Sequence, residues 1–281
     1  MRLLFASTLW TIAWWVFAWS SAPILSDYSF FPLWLGYIFT LNAASDALYR
    51  DSLMRRMGGW FVFLFLVSIP LWWFFEWVNS YLQNWHYVFL QPISPLHYVV
   101  QASIDFSTVV PAVLSSTFLF FRFFDERRIG KSRPVAIDRW WLVVAVAIGL
   151  TSFYLMQAFP RQTFPLAWIA PFLVLEPVLY ISGLPSLLGQ IGKGDWTLTI
   201  SAMTATLFTG LFWELWNYHS LPKWYYTVPY VDFWKVFEMP ILGYAGYPFF
   251  GIVVVSYSIA MFSVVRRNLV VLLTHAVNDR S

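Results

Sequence analysis

Eight segments of this chain are long, apolar and almost free of charged residues, and this feature constrains the fold more than any other. A helix that crosses a bilayer needs about 20 mostly apolar residues, and it satisfies its own backbone hydrogen bonds away from water. The segments are 3–24, 30–49, 60–79, 98–121, 140–159, 164–188, 196–217 and 237–265. We therefore predict an all-α integral membrane protein with eight transmembrane helices.

The first segment, residues 3–24, also has features of a signal peptide, because the basic residue Arg2 precedes its apolar run. The run extends over about 20 residues and contains four tryptophans, whereas the apolar core of a signal peptide is shorter. We interpret the segment as a retained first helix, with a cleaved signal peptide as the alternative.

The basic residues orient the predicted helices. With eight spans, the two termini and the loops after spans two, four and six share one side, and that side carries 14 of the 17 Lys and Arg. They are Arg2, Arg50, Arg55, Arg56, Arg122, Arg127, Arg128, Lys131, Arg133, Arg139, Lys193, Arg266, Arg267 and Arg280. The positive-inside rule predicts a bacterial inner-membrane protein with both termini cytoplasmic. The Arg-rich loop 122–139 is then a topology signal, with a lipid- or partner-binding patch as the alternative.

Composition excludes several classes of protein. Only 11% of the residues are charged, against about a quarter in a soluble domain, which excludes a water-soluble globular enzyme. Cysteine is absent, which excludes disulfides, Fe–S clusters, thiolate zinc sites and thiol nucleophiles. The net charge of +3 is modest, and topology accounts for the basic residues, so we expect no nucleic-acid partner. The expected partners are membrane lipids, with other membrane-protein subunits as a further alternative.

Five short strings from the first half of the chain recur in the same order in the second half. The offset between them grows smoothly from 133 to 139 residues, as small insertions would make it. The matched strings are Phe31-Pro32-Leu33 with Phe164-Pro165-Leu166, Ser52-Leu53-Met54 with Ser186-Leu187-Leu188, Trp60 with Trp196, 75–79 with 213–217, and 84–87 with 223–226. The pattern predicts two tandem four-helix repeats.

Because four is an even number, the two repeats have the same orientation in the membrane, as in transporters built from parallel repeats. By analogy with those proteins, we expect a site between the repeats. The predicted domains are a first repeat over 1–125, a basic cytoplasmic linker over 126–139, a second repeat over 140–267 and a cytoplasmic tail over 268–281.

Two Glu-x-x-Asn pairs mark the outer ends of the third and seventh predicted spans. Glu76 and Asn79 lie one turn apart on one helix face, and Glu214 and Asn217 repeat this spacing. Each pair precedes a Trp-x-Tyr loop, and each loop leads into a span with an early acid. The loop residues are Trp85, Tyr87, Trp224 and Tyr226, and the early acids are Asp105 in span four and Glu238 in span eight.

These four carboxylates are candidate catalytic residues, and the two asparagines and four loop aromatics are candidate substrate-binding residues. A charged group within a membrane span is costly, which makes function the default hypothesis. A carboxyl shielded from water keeps its proton more readily and can act as a general acid. In the structural alternative, each Glu/Asn pair ties the returning loop to the helix end through backbone hydrogen bonds.

Glu176 is a separate candidate for substrate binding. It lies about twelve residues into the sixth predicted span, near the bilayer centre, between Pro171 and Pro177. The matching part of span two contains Asn42 or Asp46. Glu176 is either a protonated carboxyl bonded to a carbonyl that the helix break frees, or a ligand- or proton-binding site.

We predict no metal and no cofactor, with a bound pigment or lipid as an alternative. His86, His97 and His219 fall near the outer loops, but their spacing matches no metal motif such as His-Glu-x-x-His. The sequence also lacks a Walker loop, a dinucleotide fingerprint, a Gly-x-Ser-x-Gly elbow and paired Asp-rich prenyl-diphosphate motifs. Phosphoryl transfer and nicotinamide chemistry are therefore poorly supported.

The 18 tryptophans are unevenly distributed across the predicted membrane. Eleven lie toward the outer side, four toward the inner side and three in the body of the first span. Aromatic belts explain tryptophan at both interfaces, but they do not explain this imbalance. A stacking pocket for a flat or polyene-like ligand is one explanation, and a crowded aromatic core under the outer loops is the simpler one.

The repeated strings Phe-Glu-x-x-Asn … Asn-Trp-x-Tyr and Trp-Glu-x-x-Asn … Lys-Trp-x-Tyr … Phe-Glu-Met-Pro resemble those of Trp-rich bacterial polytopic membrane proteins without an assigned activity. They are also distantly similar to the repeats of heterodimer-type lycopene cyclases, which have an acid after a Trp, a Trp-x-aromatic loop and a Pro-x-Glu-Glu element. Here Trp213-Glu214, Trp224-Tyr225-Tyr226 and Phe237-Glu238-Met239-Pro240 follow that order, with one Glu before the proline. The resemblance implies proton-initiated isoprenoid chemistry.

Three functions are consistent with these features. The first is binding of, or chemistry on, a lipid or isoprenoid at the outer face, where carboxylates handle a proton and aromatic rings stabilise a cation. The second is a non-catalytic subunit that holds pigment or lipid in a larger membrane complex. The third is a small-solute or proton transporter, for which Glu176 is the main deep polar group.

Overall fold

A computed structural model describes residues 1–20, 22, 24–89 and 91–274 of the chain. The helices are α1 (Arg2–Trp19), α2 (Phe30–Tyr49), α3 (Leu53–Met57), α4 (Phe61–Leu82), α5 (Pro95–Phe106), α6 (Val109–Glu126), α7 (Arg139–Ala158), α8 (Pro160–Thr163), α9 (Leu166–Ile181), α10 (Leu187–Gly192), α11 (Thr197–Tyr218), α12 (Gly246–Val264) and α13 (Leu269–Thr274). The strands are β1 (Trp85–Val88), β2 (Lys223–Tyr226), β3 (Lys235–Val236) and β4 (Met239–Pro240). The predicted tail residues 275–281, with Arg280, lie outside the described residues.

The protein is mostly helical, and five of its described helical segments are long and apolar enough to cross a membrane. These are Leu53–Leu82, Pro95–Glu126, Arg139–Ala158, Thr197–Tyr218 and Ile241–Val264. The predicted class is confirmed as far as a mostly helical protein with helices suited to crossing a membrane. The other three predicted segments also form helices, namely α1, α2 and the shorter apolar helix α9.

The fourth predicted span is broken rather than continuous. Helix α5 ends at Phe106 and α6 begins at Val109, so two residues interrupt the segment in its middle. The hydroxyl of Ser68 on α4 donates to the Phe106 carbonyl at 2.5 Å and accepts from the Val110 N–H at 3.0 Å. A side chain from a neighbouring helix therefore satisfies the backbone groups that the break frees, which is what permits a break among apolar helices.

The helices run between two chemically different ends. At the strand end, α4 and α11 lead into the paired strands β1 and β2, and the Trp19 indole of α1 donates to the Trp216 carbonyl at 3.0 Å. At the basic end, the Arg56 guanidinium donates to the Leu272 carbonyl at 3.0 Å. There the Arg267 guanidinium also lies 4.4 Å from the centre of the Trp60 ring.

The segment Pro95–Glu126 is the most enclosed of the candidate spans, and its second part, α6, packs between α2, α4 and α11. Three buried hydroxyls join it to α2 and α11: Tyr37 lies 2.9 Å from Ser116 and 3.1 Å from Thr209, and Ser116 lies 2.9 Å from Thr209. Ser116 also lies 2.9 Å from the Ala112 carbonyl and Thr209 lies 2.8 Å from the Ala205 carbonyl, so each hydroxyl of the triangle has an acceptor within reach. In contrast, α7 is the most peripheral candidate span.

The predicted linker 126–139 docks against the loop that follows α10. The backbone N–H of Ser132 donates to the Gly194 carbonyl at 2.8 Å, and that of Val135 donates to the Gly192 carbonyl at 3.1 Å. Gly194 has φ +83°, a conformation that favours glycine, and a Cβ there would meet the backbone of Arg133. Only a glycine permits this close approach of the two segments.

An ionic cluster fixes the docked linker, because the Lys131 ammonium lies 2.9 Å from Asp125 and 2.8 Å from Asp195. Burial raises the pKa of Asp195, but hydrogen bonds from Lys131 and Thr197 outweigh it and hold the pKa below its ordinary value of 3.8. Burial lowers the pKa of Lys131, but the two carboxylates outweigh it and hold the pKa above 10.5.

We expect this cluster to stabilise the fold between about pH 4 and pH 10 by about 0.5 kcal/mol, since the groups are partly exposed. The contribution falls as the pH drops through the lowered pKa of Asp195, and again as the pH rises through the raised pKa of Lys131. Thermal unfolding of the wild type and Asp195→Asn across this range measures it. A gap between the two proteins that stays constant below pH 3 would contradict the assignment.

Candidate functional site

The strands β1 and β2 form an antiparallel pair that joins the ends of α4 and α11. Trp85 lies opposite Tyr226 and Tyr87 lies opposite Trp224, so the two predicted Trp-x-Tyr loops face each other directly. All four aromatic candidates are therefore together at the strand end. The sequence indicated two separate loops, and their pairing is a finding of the structure.

The two asparagines hold these strands on their helices. The Asn79 side chain donates to the Trp85 carbonyl at 2.8 Å and accepts from the Asn84 N–H at 2.8 Å. The Asn217 side chain donates to the Trp224 carbonyl at 2.7 Å and accepts from the Trp224 N–H at 2.8 Å. Each buried amide therefore links the helix end to the returning strand through hydrogen bonds.

The partly buried Glu76 carboxylate binds aromatic side chains rather than the loop backbone. Its Oε1 atom accepts from Trp72 Nε1 at 2.9 Å, from Trp85 Nε1 at 3.0 Å and from Tyr87 Oη at 2.5 Å. Burial and the neighbouring carboxylate raise the pKa of Tyr87 well above its ordinary value, so the phenol keeps its proton and donates it in this bond.

Glu214 repeats this arrangement on α11 and is fully buried. Its Oε1 atom accepts from Tyr226 Oη and from Tyr247 Oη, each at 2.6 Å, while Trp224 Nε1 donates to Tyr226 Oη at 2.8 Å. Burial and the adjacent Glu214 also raise the pKa of Tyr226 well above its ordinary value. The Oε2 atom of Glu214 is buried and has no hydrogen-bond partner among the described residues.

The structural alternative therefore describes the asparagines but not the glutamates. Asn79 and Asn217 tie the loop backbone to the helix, whereas Glu76 and Glu214 bind phenol and indole groups of the strands and of neighbouring helices. Tyr247 on α12 completes the second network. It was missed at the sequence level because it stands alone, without a repeated string around it.

Glu238 does not lie in a helix, whereas the sequence prediction placed it early in the eighth span. It lies between β3 and β4, in a short hairpin that precedes the 3-10 turn Ile241–Ala245 and α12. Its carboxylate forms an ion pair with Lys223 on β2. Pro240 cannot donate a backbone hydrogen bond, and the helix begins only beyond it, which is why the apolar segment overestimated the span.

Glu176 makes contacts other than those of the first alternative, a protonated carboxyl bonded to a freed carbonyl. It is fully buried, but its carboxylate bonds no carbonyl freed by Pro171 or Pro177. Instead Oε2 accepts from the Leu188 N–H at the start of α10 at 2.9 Å, and Oε1 lies 2.6 Å from Ser256 Oγ on α12. These contacts place Glu176 toward the basic end of α9, away from the other site candidates.

An aromatic cavity of about 140 Å³ lies at the strand end, between the start of α2, helices α5 and α11, the strand pair and the start of α12. Six of the predicted site residues line it: Asp105, Asn217, Trp85, Tyr87, Trp224 and Tyr226. Glu76 and Glu214 lie behind this wall, bonded to its tyrosines. The remaining candidates, Asn79, Glu176 and Glu238, do not line it.

Seven tryptophans line the cavity, and several of their rings pack on one another. Trp72 and Trp213 stack at 5.2 Å between ring centres, and Trp34 lies 4.9 Å from Trp216. The lining tryptophans are Trp34, Trp72, Trp85, Trp168, Trp213, Trp216 and Trp224. One packed aromatic layer therefore forms the wall of the cavity.

The three histidines near this end make local contacts. The His86 Nε2 atom lies 2.8 Å from the Thr227 hydroxyl, and His97 Nε2 lies 3.1 Å from the Tyr28 hydroxyl. His219 packs edge-on against Trp19. Within the part of the chain that the structure describes, no three His, Asp or Glu side chains gather as a metal site requires.

Comparison of the chain with known protein families, with curated proteins and with solved structures finds no match.

Proposed function

We propose that this protein binds a lipid or isoprenoid in the aromatic cavity at the strand end, which faces the exoplasmic side of a bacterial inner membrane. The single observation that carries the proposal is the cavity itself, whose wall combines seven tryptophans with the tyrosines of both strands. Ligand sites are typically concave, mostly apolar and equipped with a few polar groups that fix orientation. Asp105, Asn217 and Gln101 supply such groups here.

The size of the cavity limits what part of a ligand it encloses. Its volume of about 140 Å³ is comparable to an engineered cavity of roughly 150 Å³ that binds benzene. A cavity of this size holds one ring, one compact head group or the end of a polyisoprenoid or acyl chain. The rest of such a ligand would lie outside the cavity, among lipids.

The proposed topology has eight membrane-crossing helices, formed by α1, α2, α4, α5 with α6, α7, α9, α11 and α12. The separation of the two ends supports it, since Arg56, Lys131 and Arg267 all make contacts at the basic end. By the positive-inside rule the basic end and both termini are cytoplasmic, and the cavity is exoplasmic.

We also propose that residues 1–125 and 140–267 are tandem repeats. Matching hydrogen bonds support this in addition to the recurring strings. The side chains of Asn42 and Glu176 each accept from a backbone N–H twelve residues later, that of Met54 at 2.8 Å and that of Leu188 at 2.9 Å. Ser52 and Ser186 then cap α3 and α10 in the same way.

Proton-initiated chemistry on the ligand is a second candidate function, and the Glu214 network favours it. Tyr226 and Tyr247 both line the cavity and both donate to Glu214. With a proton on Oε2, Glu214 is placed to relay a proton through either phenol to a bound alkene, and the carboxylate left behind takes a proton back from the resulting carbocation. This is the chemistry that the resemblance to lycopene cyclases implies. A subunit that only holds its ligand needs no such pair.

Transport has less support than either of these functions. Glu176, the deep polar residue on which that hypothesis depends, bonds Ser256 and the backbone of α10 and does not line the cavity.

Filling the cavity tests the proposed function. Ala102 is buried and lines the cavity from α5, so Ala102→Phe places a ring inside it. We expect this variant to co-purify with at most about one tenth of the lipid or isoprenoid that the wild type carries, because the ring occupies the binding volume. Native mass spectrometry and solvent extraction of the purified protein measure the loss.

Val100→Phe is the matched control, since Val100 lies two residues away on the same helix and is 52% exposed. It should keep the wild-type amount of bound ligand and the same unfolding temperature. Equal ligand in Ala102→Phe and the wild type, or none in either, would reject the proposal.

A further inference from the structure

The charged groups in the cavity wall are unbalanced. Asp27, Asp105 and Lys223 line the cavity, and the Lys223 ammonium is already paired with Glu238 and bonded to the Tyr218 carbonyl at 3.1 Å. Among the described residues, no ion pair involves Asp27 or Asp105. The wall therefore presents two acids and a cation whose charge is already neutralised.

Several hydrogen-bond donors of the wall are already engaged within the protein. An indole has one donor, its Nε1–H, and those of Trp72 and Trp85 are bonded to Glu76 while that of Trp224 is bonded to Tyr226. The hydroxyls of Tyr87 and Tyr226 are directed at the glutamates. The Trp216 Nε1–H has no acceptor among the described residues, but a phosphate or carboxylate that reached it would lie in a wall whose two acids form no ion pair there and whose cation is already paired.

A wall of aromatic rings and carboxyl groups favours binding of a cation with low charge density, such as an alkylated ammonium. Electron-rich indole rings attract an ammonium group by about 0.5–2 kcal/mol each, most strongly when water is excluded. A bound cation favours the ionised form of a neighbouring carboxyl such as that of Asp105, and the resulting pair adds a direct charge attraction. The cavity volume of about 140 Å³ matches a compact alkylated ammonium head better than a sugar or a diphosphate.

We propose that the group bound in the cavity is an alkylammonium, with Asp105 as its counter-ion. This rests on the proposed function and specifies the chemical class of the ligand at the same site. The ammonium belongs either to an amphiphile whose chain extends into the membrane or to a free small amine, and both present the same head group to the tryptophans.

Binding of choline and of 3,3-dimethylbutan-1-ol tests the proposal, because the two have the same shape and differ only in the positive charge. With the full-length protein in a neutral detergent, we expect choline to quench tryptophan fluorescence with a Kd at least roughly tenfold lower than its uncharged isostere. Inorganic phosphate should not compete. Equal affinities for choline and the alcohol, or competition by phosphate, would overturn the proposal.

Two variants assign the counter-ion. Asp105→Asn should bring the affinity for choline down to that for the alcohol, while the alcohol still binds as it does to the wild type. Asp27→Asn tests the other acid in the same way and covers the case in which Asp105→Asn fails to fold. If the preference for choline survives both substitutions, the carboxylates play no part and the assignment is wrong.

A third probe, dodecyltrimethylammonium, separates the two sources of the ammonium. Much tighter binding than choline identifies a membrane amphiphile, and equal binding identifies a free amine. Failure of the proposed function has a different outcome: choline, the alcohol and the long-chain probe would all bind Ala102→Phe as they bind the wild type.

Discussion

Glu214→Ala is expected to lower the free energy of unfolding by about 3 kcal/mol and the unfolding temperature by roughly 5–10 °C. Glu214 is fully buried and accepts the hydroxyl protons of Tyr226 and Tyr247 at 2.6 Å. Removing the carboxylate leaves both hydroxyls without that acceptor in the packed aromatic layer, and each unsatisfied buried group costs about 1–3 kcal/mol. Thermal unfolding in detergent, followed by tryptophan fluorescence, measures the change.

Glu214→Gln separates the acceptor from the charge. Its amide oxygen can still accept from both tyrosines, and its amide nitrogen takes the place of Oε2, which lacks a partner among the described residues. We expect about half the destabilisation of the alanine variant. The wild type converts its ligand if Glu214 acts as an acid. A glutamine variant that has the expected stability but leaves the ligand unconverted would then show that the carboxyl acts as an acid and not only as a hydrogen-bond acceptor. An alanine variant with wild-type stability would contradict the network.

Glu176→Ala has the second large expected effect, a loss of about 2–4 kcal/mol. The carboxylate joins three helices, since it lies on α9, accepts from the Leu188 N–H at the start of α10 and lies 2.6 Å from Ser256 on α12. Alanine leaves the N–H without this acceptor and opens a cavity among buried side chains. The expected result is a lower unfolding temperature with an unchanged affinity for the ligand, because Glu176 does not line the aromatic cavity.

Glu176→Gln should retain most of this stability, because an amide makes the matching hydrogen bond to a backbone N–H in the first half of the chain. The Asn42 amide accepts from the Met54 N–H at 2.8 Å and donates to Ser115 at 2.8 Å. Ser256 lies 2.7 Å from the Ile252 carbonyl, so it can donate there and accept from a glutamine. A glutamine variant as unstable as the alanine variant would show that the negative charge or its proton is essential at this position.

The helices were predictable because each apolar run must satisfy its backbone within itself. The break between α5 and α6 was not predictable, because its stability depends on Ser68, about 40 residues earlier in the chain. The start of α12 was misplaced for a related reason. The apolar character of the segment continues through the β3–β4 hairpin, and hydropathy does not distinguish a membrane-crossing helix from an apolar hairpin at its end.

The site was predictable in its components but not in its arrangement. The spacing of Glu76 and Glu214 from the Trp-x-Tyr strings indicated that these groups lie together, and each glutamate does bind the tyrosine of its own string. The structural alternative named backbone groups as the partners of each pair. The asparagines do bind backbone groups, whereas Glu76 and Glu214 bind phenols and indoles. The cavity depends on how α2, α5, α11 and α12 pack together. No local pattern in the sequence predicts the packing of helices that are so far apart in the chain.

Because β1 pairs with β2, both halves of the chain contribute to the cavity. One strand follows α4 and the other follows α11, so neither residues 1–125 nor residues 140–267 enclose the aromatic cavity alone. Each fragment by itself would expose an unpaired strand edge to water or to other chains. The covalent linker keeps the two strands at high local concentration, so a cut in the loop 126–139 should make ligand binding depend on how tightly the fragments associate.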